Sequence, residues 1–244
     1  MKLLTDEKVK DLYSAPYLLK NTMLGIKSDW MLNKTTWELV KSSIKEIKEF
    51  EVNDGKYDLE TELTNYPKQL VNDVYSVPLF TQEFCDMLID EIKNINDAYN
   101  LEFEPNDTED YYRQIPEITL ADNVPVLHDV MWSIVQNVLN PIFFAVWQRY
   151  SVRPGSIQIA NYNPKEKVEG AWHHDQSADI SVVVPLNTGG YEGGGTDFFN
   201  RGTVDPLPNG HALFFPSFTH MHRGKAVLSG DRYLLVFWLL GNYD

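Results

Sequence analysis

The chain has 244 residues and a net charge of −14, from 21 basic and 35 acidic side chains. That balance excludes a nucleic-acid binder, which needs a basic patch, while 43% hydrophobic residues is ordinary for a globular protein long enough to bury a sizeable core. The lone Cys85 excludes an intrachain disulfide and fits a reducing compartment, and the charged start from Met1 to Lys10 has no leader-like apolar run. A cytoplasmic location with no membrane span is therefore expected.

Residues 1–70 read as a helical extension packed on the outside of the core. Thr35 and Glu38 have the spacing of a capping box, and Trp37, Val40, Ile44 and Ile47 form one apolar stripe. A short strand is predicted over 77–80, and Thr81 is placed to cap the next helix, whose stripe is Phe84, Leu88, Ile92 and Ile95. Cys85 and Met87 belong to its packing. Residues 106–110, Asn-Asp-Thr-Glu-Asp, form an acidic loop, either simply solvated or bordering a cationic substrate. A strand is expected within 115–120. A second helix then carries Leu127, Val130, Met131, Ile134 and Val138 on one side, with Pro141 predicted to interrupt it.

From Ser156 the period changes to two: Ile157, Ile159 and Asn161 alternate with Gln158, Ala160 and Tyr162. Further strands are predicted over 178–187, 196–200, 211–216, 219–223 and 231–240. Many short strands broken by Gly, Pro and Asn indicate a sandwich or jelly roll.

The chemistry concentrates in Trp172-His173-His174-Asp175. On an extended strand His173 and Asp175 share a face. A His-x-Asp pair by itself is often only a hydrogen-bonded surface pair. With a second histidine it becomes the two-histidine, one-carboxylate arrangement that suits non-haem Fe(II) and oxygen chemistry. His220 and His222 are both offered, and parity does not separate them. His128, His174 and His211 read as structural. Arg232 opens a run, Tyr233 to Leu240, that is apolar on both faces. A charged residue entering a buried strand needs an anionic partner, and a planar guanidinium takes a carboxylate bidentately.

The order of His173-His174-Asp175, Glu192-Gly193-Gly194-Gly195, His220-Met221-His222 and Arg232-Tyr233 resembles the 2-oxoglutarate- and Fe(II)-dependent dioxygenases, most nearly the hydroxylase domain of the collagen lysyl hydroxylases. The likeness reaches upstream to residues 73–81 and to Cys85-Asp86. It implies a mainly β fold with flanking helices, a double-stranded β-helix (jelly roll) core, and a dioxygenase domain over 71–244. It assigns the metal to His173, Asp175 and His222, because the family ligand precedes the Arg by ten positions. It assigns the remote carboxylate of 2-oxoglutarate to Arg232. Tyr162 matches a family tyrosine that would donate a second hydrogen bond there; the alternative is a core-edge tyrosine.

The implied cofactors are Fe(II), 2-oxoglutarate as co-substrate and ascorbate as reductant. The implied reaction uses dioxygen to hydroxylate an unactivated C–H bond, releasing succinate and carbon dioxide. The substrate reads as a lysine-bearing peptide; prolyl residues, a free amino acid or another small molecule are the alternatives, and a non-catalytic jelly-roll binding protein is a third reading that has no use for Arg232. A homodimer also follows from the resemblance. Trp172, Gln176 to Ala178 and Thr196 depart from the family pattern, and they border the substrate mouth rather than the metal.

Overall fold

The computed structural model describes residues 67–99, 115–164 and 169–241. The expected helix around 35–47 and the acidic loop at 106–110 lie outside them.

The chain enters with two short strands, β1 (Lys68–Val71) and β2 (Val74–Pro78), so the sheet begins across the expected boundary at residue 70. Helix α1 (Gln82–Tyr99) follows, and Thr81 caps it: its Oγ1 accepts from the Phe84 backbone N–H at 3.2 Å. Then come β3 (Glu117–Thr119), a single turn α2 (Leu120–Asn123), and α3 (Pro125–Ile134). The helix runs on through a π-helical segment (Val135–Leu139) into α4 (Asn140–Trp147).

Pro141 therefore does not interrupt the helix, contrary to the sequence expectation. It falls in the first turn of α4, directly after the wider π turns, where a missing N–H is tolerated. The expectation that nothing approaches a membrane span also needs correcting. Leu127–Trp147, 21 residues, is long and apolar enough to cross one by length and composition alone. In this fold its buried residues, among them Leu127, Met131, Val138 and Phe143, join the main core.

The remaining strands are β4 (Ser151–Tyr162), β5 (Ile180–Pro185), β6 (Tyr191–Gly193), β7 (Thr196–Phe198), β8 (Gly202–Val204), β9 (His211–Pro216), β10 (His222–Gly224), β11 (Val227–Gly230) and β12 (Arg232–Gly241). Seven of the twelve strands described form one antiparallel sheet, ordered β1-β2-β9-β5-β12-β4-β3. Opposite it lie β10-β7-β8 and the pair β11-β6. This is a jelly roll with helices buttressing one sheet, as expected.

Side-chain alternation divides the large sheet into two working faces. Ile157, Ile159, Val182, Phe214, Leu235 and Phe237 are buried on one face, in the same cluster as the helices. Phe214 meets Tyr75, Phe143 and Trp147 with ring centroids 5.4–5.8 Å apart. Burying each such side chain contributes roughly 1.5–3 kcal/mol. The residues between them, Gln158, Ala160, Tyr162, Arg232, Leu234 and Val236, face the other way. They look into the space under the smaller sheets. Asn140 ties the helical layer to this sheet, exchanging hydrogen bonds of 2.8 and 2.9 Å with the backbone of Ser151.

Candidate metal centre

His173 and Asp175 were expected on one extended strand. The structure places them otherwise: His173 forms an isolated bridge to His222, and Asp175 sits at the entry to a turn that Ala178 N closes onto Asp175 O at 3.1 Å. The backbones of His173 and His222 exchange two hydrogen bonds, 3.0 and 2.8 Å long. β10 is in turn paired with β7 in the smaller sheet. The three side chains come together so that one ligand atom from each lies within 4.8 Å of the others.

The hydrogen bonds around this group hold both histidines by Nδ1. His173 Nδ1 is 2.8 Å from Ala171 O, and His222 Nδ1 is 2.9 Å from His220 O. A carbonyl only accepts, so each Nδ1 carries the proton and each Nε2 presents a lone pair. Those Nε2 atoms stand 3.3 and 3.6 Å from the two oxygens of Asp175. Burial pushes the His222 pKa down to about 4, outweighing the opposing pull of Asp175, so its imidazole is neutral at pH 7 and fit to ligate. Burial alone would raise the Asp175 carboxyl. His173, His222 and the Ser181 hydroxyl outweigh it and hold the group below the usual carboxylate range. Two imidazole nitrogens and a carboxylate facing one another form a donor set that fits Fe(II).

Ser181 was not singled out in the sequence. It donates from Oγ to Asp175 Oδ2 and lies 2.8 Å from Ser217 Oγ, both serines being fully buried. A lone hydroxyl within the apolar run Ile-Ser-Val-Val-Val was the available signal.

His220 is buried as well, yet both its nitrogens are engaged. Its Nε2 meets Asn72 O at 3.1 Å and its Nδ1 meets Thr219 Oγ1 at 2.9 Å. β10 starts only at His222, so His220 lies outside the strand the two were expected to share. His174 lines the cavity near its neighbours, and His128 pairs with Asp129 at 3.2 Å.

The metal group opens on a cavity of about 420 Å³, within the range of small-molecule sites. Arg232 lies in its wall, 3% exposed, with Nε and Nη1 buried and lacking a hydrogen-bond partner. Its guanidinium sits 5.2 Å from the ring centre of Tyr162, its antiparallel partner residue, and 5.9 Å from that of Tyr191. Asn187 clamps the backbone on either side of Arg232, donating to Asp231 O at 2.7 Å and accepting from Tyr233 N at 2.9 Å. The glycine run makes room for it. At Gly194, whose φ is +77°, a Cβ would stand 2.8 Å from the Tyr191 ring and 3.3 Å from Arg232 Cδ. A buried cation with orphaned donors is costly unless an anion meets it, and a dicarboxylate such as 2-oxoglutarate fits that need. Burial raises the Tyr162 pKa, with the Arg232 charge opposing, so its hydroxyl stays protonated and able to donate.

Comparison with known proteins accords with this geometry. The model of the 2OG-Fe(II) oxygenase superfamily matches residues 157–240. The chain is 26% identical over 178 residues to the multifunctional procollagen lysine hydroxylase and glycosyltransferase of Caenorhabditis elegans, covering 70% of this chain and 24% of that one. It is 28% identical over 186 residues to procollagen-lysine,2-oxoglutarate 5-dioxygenase 1 of Mus musculus, covering 70% of this chain and 25% of the relative. The chain thus spans about a quarter of the length of the curated relatives it matches. A prolyl hydroxylase from Trichoplax adhaerens, solved in complex with a hypoxia inducible factor peptide fragment, shares the fold. Its TM-score is 0.55 at 12% identity, over 87% of this chain and 96% of that one. The matched span opens in β4 and closes in β12, the two strands that bring Tyr162 and Arg232 to the cavity, and over residues 157–240 the chain matches the 2OG-Fe(II) oxygenase superfamily.

Proposed function

We propose that the protein is an Fe(II)- and 2-oxoglutarate-dependent dioxygenase that hydroxylates an unactivated C–H bond of a peptide, with lysine as the favoured side chain. The carrying observation is the buried Arg232, whose two unpartnered donors share one cavity with the convergent His173, Asp175 and His222. In this reading the three side chains hold Fe(II), and Arg232 holds the carboxylate of 2-oxoglutarate remote from the metal, with Tyr162 beside it. The bound iron supplies oxygen activation coupled to oxidative decarboxylation of 2-oxoglutarate. The balance is one C–H bond, one dioxygen and one 2-oxoglutarate consumed, and one C–OH, one succinate and one carbon dioxide formed.

The chain's own residues orient and shield that chemistry. Asn187 and the glycine turn fix the approach of Arg232, and Ser181 fixes Asp175. Leu234, Val236 and Ala160 keep the cavity floor apolar and exclude water. Support for a lysine peptide comes from the net charge of −14, which favours a cationic substrate, and from the lysine hydroxylases among the relatives.

The test is Fe(II)-dependent release of succinate from 2-oxoglutarate in the presence of lysine- or proline-containing peptides and free amino acids, with the products weighed by mass spectrometry. One added oxygen on a lysine side chain is the expected result. Oxygen on proline would replace the substrate assignment, and no iron-dependent succinate under any condition would remove the enzymatic reading.

A further inference from the structure

The turn closed between Asp175 and Ala178 carries Gln176 and Ser177 at its centre, and both line the cavity with no part in holding iron or 2-oxoglutarate. We infer that Gln176 is a specificity-determining residue that hydrogen-bonds the main chain of the peptide substrate. The inference rests on the peptide reading above and names the residue that would carry it.

The turn is pinned on three sides. At its start, the Ser181 hydroxyl donates to Asp175, whose carboxylate faces the two histidines. At its end, Ala178 is fully buried, and the next backbone N–H, of Asp179, donates to Leu239 O at 2.8 Å. Behind it β4 comes close: a Cβ on Gly155 would stand 3.1 Å from Ser177 O. Gln176 and Ser177 are exposed all the same, and neither side chain is engaged in a hydrogen bond among the described residues. Gln176 is thus one peptide unit from a metal ligand, on an ordered backbone, with its amide available. A turn already ordered costs little further ordering when a ligand meets it.

Those contacts place the turn at the Trp238–Leu239 end of the cavity floor. Arg232 lies six residues back along β12, about 20 Å in an extended strand. A five-carbon dicarboxylate held by Arg232 does not fill the far end. There the floor is hydrocarbon, from Val236 and the half-buried Trp238. A polar turn beside an apolar floor suits a peptide. Each main-chain unit carries an N–H and a C=O. A carboxamide offers an acceptor oxygen and an NH₂ donor, so one glutamine can meet both. Aliphatic side-chain stems then lie along Val236 and Trp238. The amide is neutral, so it supplies no counter-charge to the ammonium and carboxylate that replace the flanking peptide bonds in a free amino acid. Bringing those charges against hydrocarbon without a partner is costly.

The test starts from the peptide that best supports succinate release, expected to carry lysine. It is compared with a set of esters, in each of which one peptide bond near the target residue is replaced by an ester that lacks the N–H. KM and kcat are read for the unaltered protein and for Gln176→Ala, and Fe(II) binding, measured apart from turnover, checks that the variant is folded. In the unaltered protein one ester should raise KM by about threefold to tenfold, the worth of a neutral hydrogen bond. Gln176→Ala should raise the KM of the all-amide peptide by a similar factor, with kcat moving less. In that variant the same ester should make no further difference, because the two changes remove one interaction. A general packing defect would leave the ester effect in place. An ester penalty that persists in Gln176→Ala, or no ester penalty in the unaltered protein, overturns the role of Gln176 while the peptide reading stands. If the unaltered protein turns over the free amino acid as well as the peptide, or turns over no peptide, the peptide reading falls and the inference with it.

Discussion

His173 and His222 hold each other by two backbone hydrogen bonds, 3.0 and 2.8 Å, so the two imidazoles of the metal group are placed as one opposed pair. Their ring centres lie 4.4 Å apart. Each ring is then locked by its own Nδ1 contact to a backbone carbonyl, Ala171 O for one and His220 O for the other. The pairing of the two histidines is set by main chain.

Replacing His173, Asp175 or His222 with Ala should abolish stoichiometric Fe(II) binding, as measured by calorimetry under anaerobic conditions. His220→Ala should keep the metal, because both nitrogens of His220 are turned to Thr219 and Asn72. It should instead lose stability by about 1–3 kcal/mol, since the buried His220 loses two hydrogen bonds; urea unfolding reads this. Loss of metal in His220→Ala with retention in His222→Ala would reverse the assignment.

Ser181→Ala should weaken Fe(II) binding by roughly 10–100-fold without abolishing it, the usual effect of removing a group that supports a ligand. Ser181 donates to the same carboxylate that faces both histidines, and it links that carboxylate to Ser217. An unchanged iron affinity would mean that Asp175 is held by its turn alone.

Arg232→Ala should raise the 2-oxoglutarate requirement while iron binding persists. Losing one side of a desolvated ion pair costs about 3–5 kcal/mol, or roughly two to four decades in affinity. Titration of 2-oxoglutarate against succinate formation measures it, and an unchanged midpoint would sink the role given to Arg232.

Gly224→Ala tests Tyr162. A Cβ at Gly224 would stand 2.7 Å from the Tyr162 hydroxyl and 3.0 Å from its ring. Overpacking of this size costs about 1–3 kcal/mol. The ring must shift relative to Arg232, so the 2-oxoglutarate KM should rise by about tenfold, with iron affinity kept. If 2-oxoglutarate dependence does not move, Tyr162 is only a core-edge residue.

Much of this was legible in the sequence because period and motif are local. The two-residue alternation from Ser156 onward separates Ile157 and Ile159, in the core, from Gln158, Ala160 and Tyr162, in the cavity wall. The jelly roll, the capping Thr81, and the grouping of His173 with Asp175 and His222 follow from such patterns and from the family resemblance. The tertiary structure decided what depends on which strands become neighbours. His220 is drawn to Asn72 by the β1–β2 turn, Ser181 reaches Asp175 because the turn after the metal motif folds back over β5, and Glu117 enters the cavity because β3 adds to the edge of β4. Pro141 continues a helix because a π segment precedes it. Alternation tells which face a side chain takes, whereas the identity of its partners is set by long-range pairing, which a single strand's sequence does not encode.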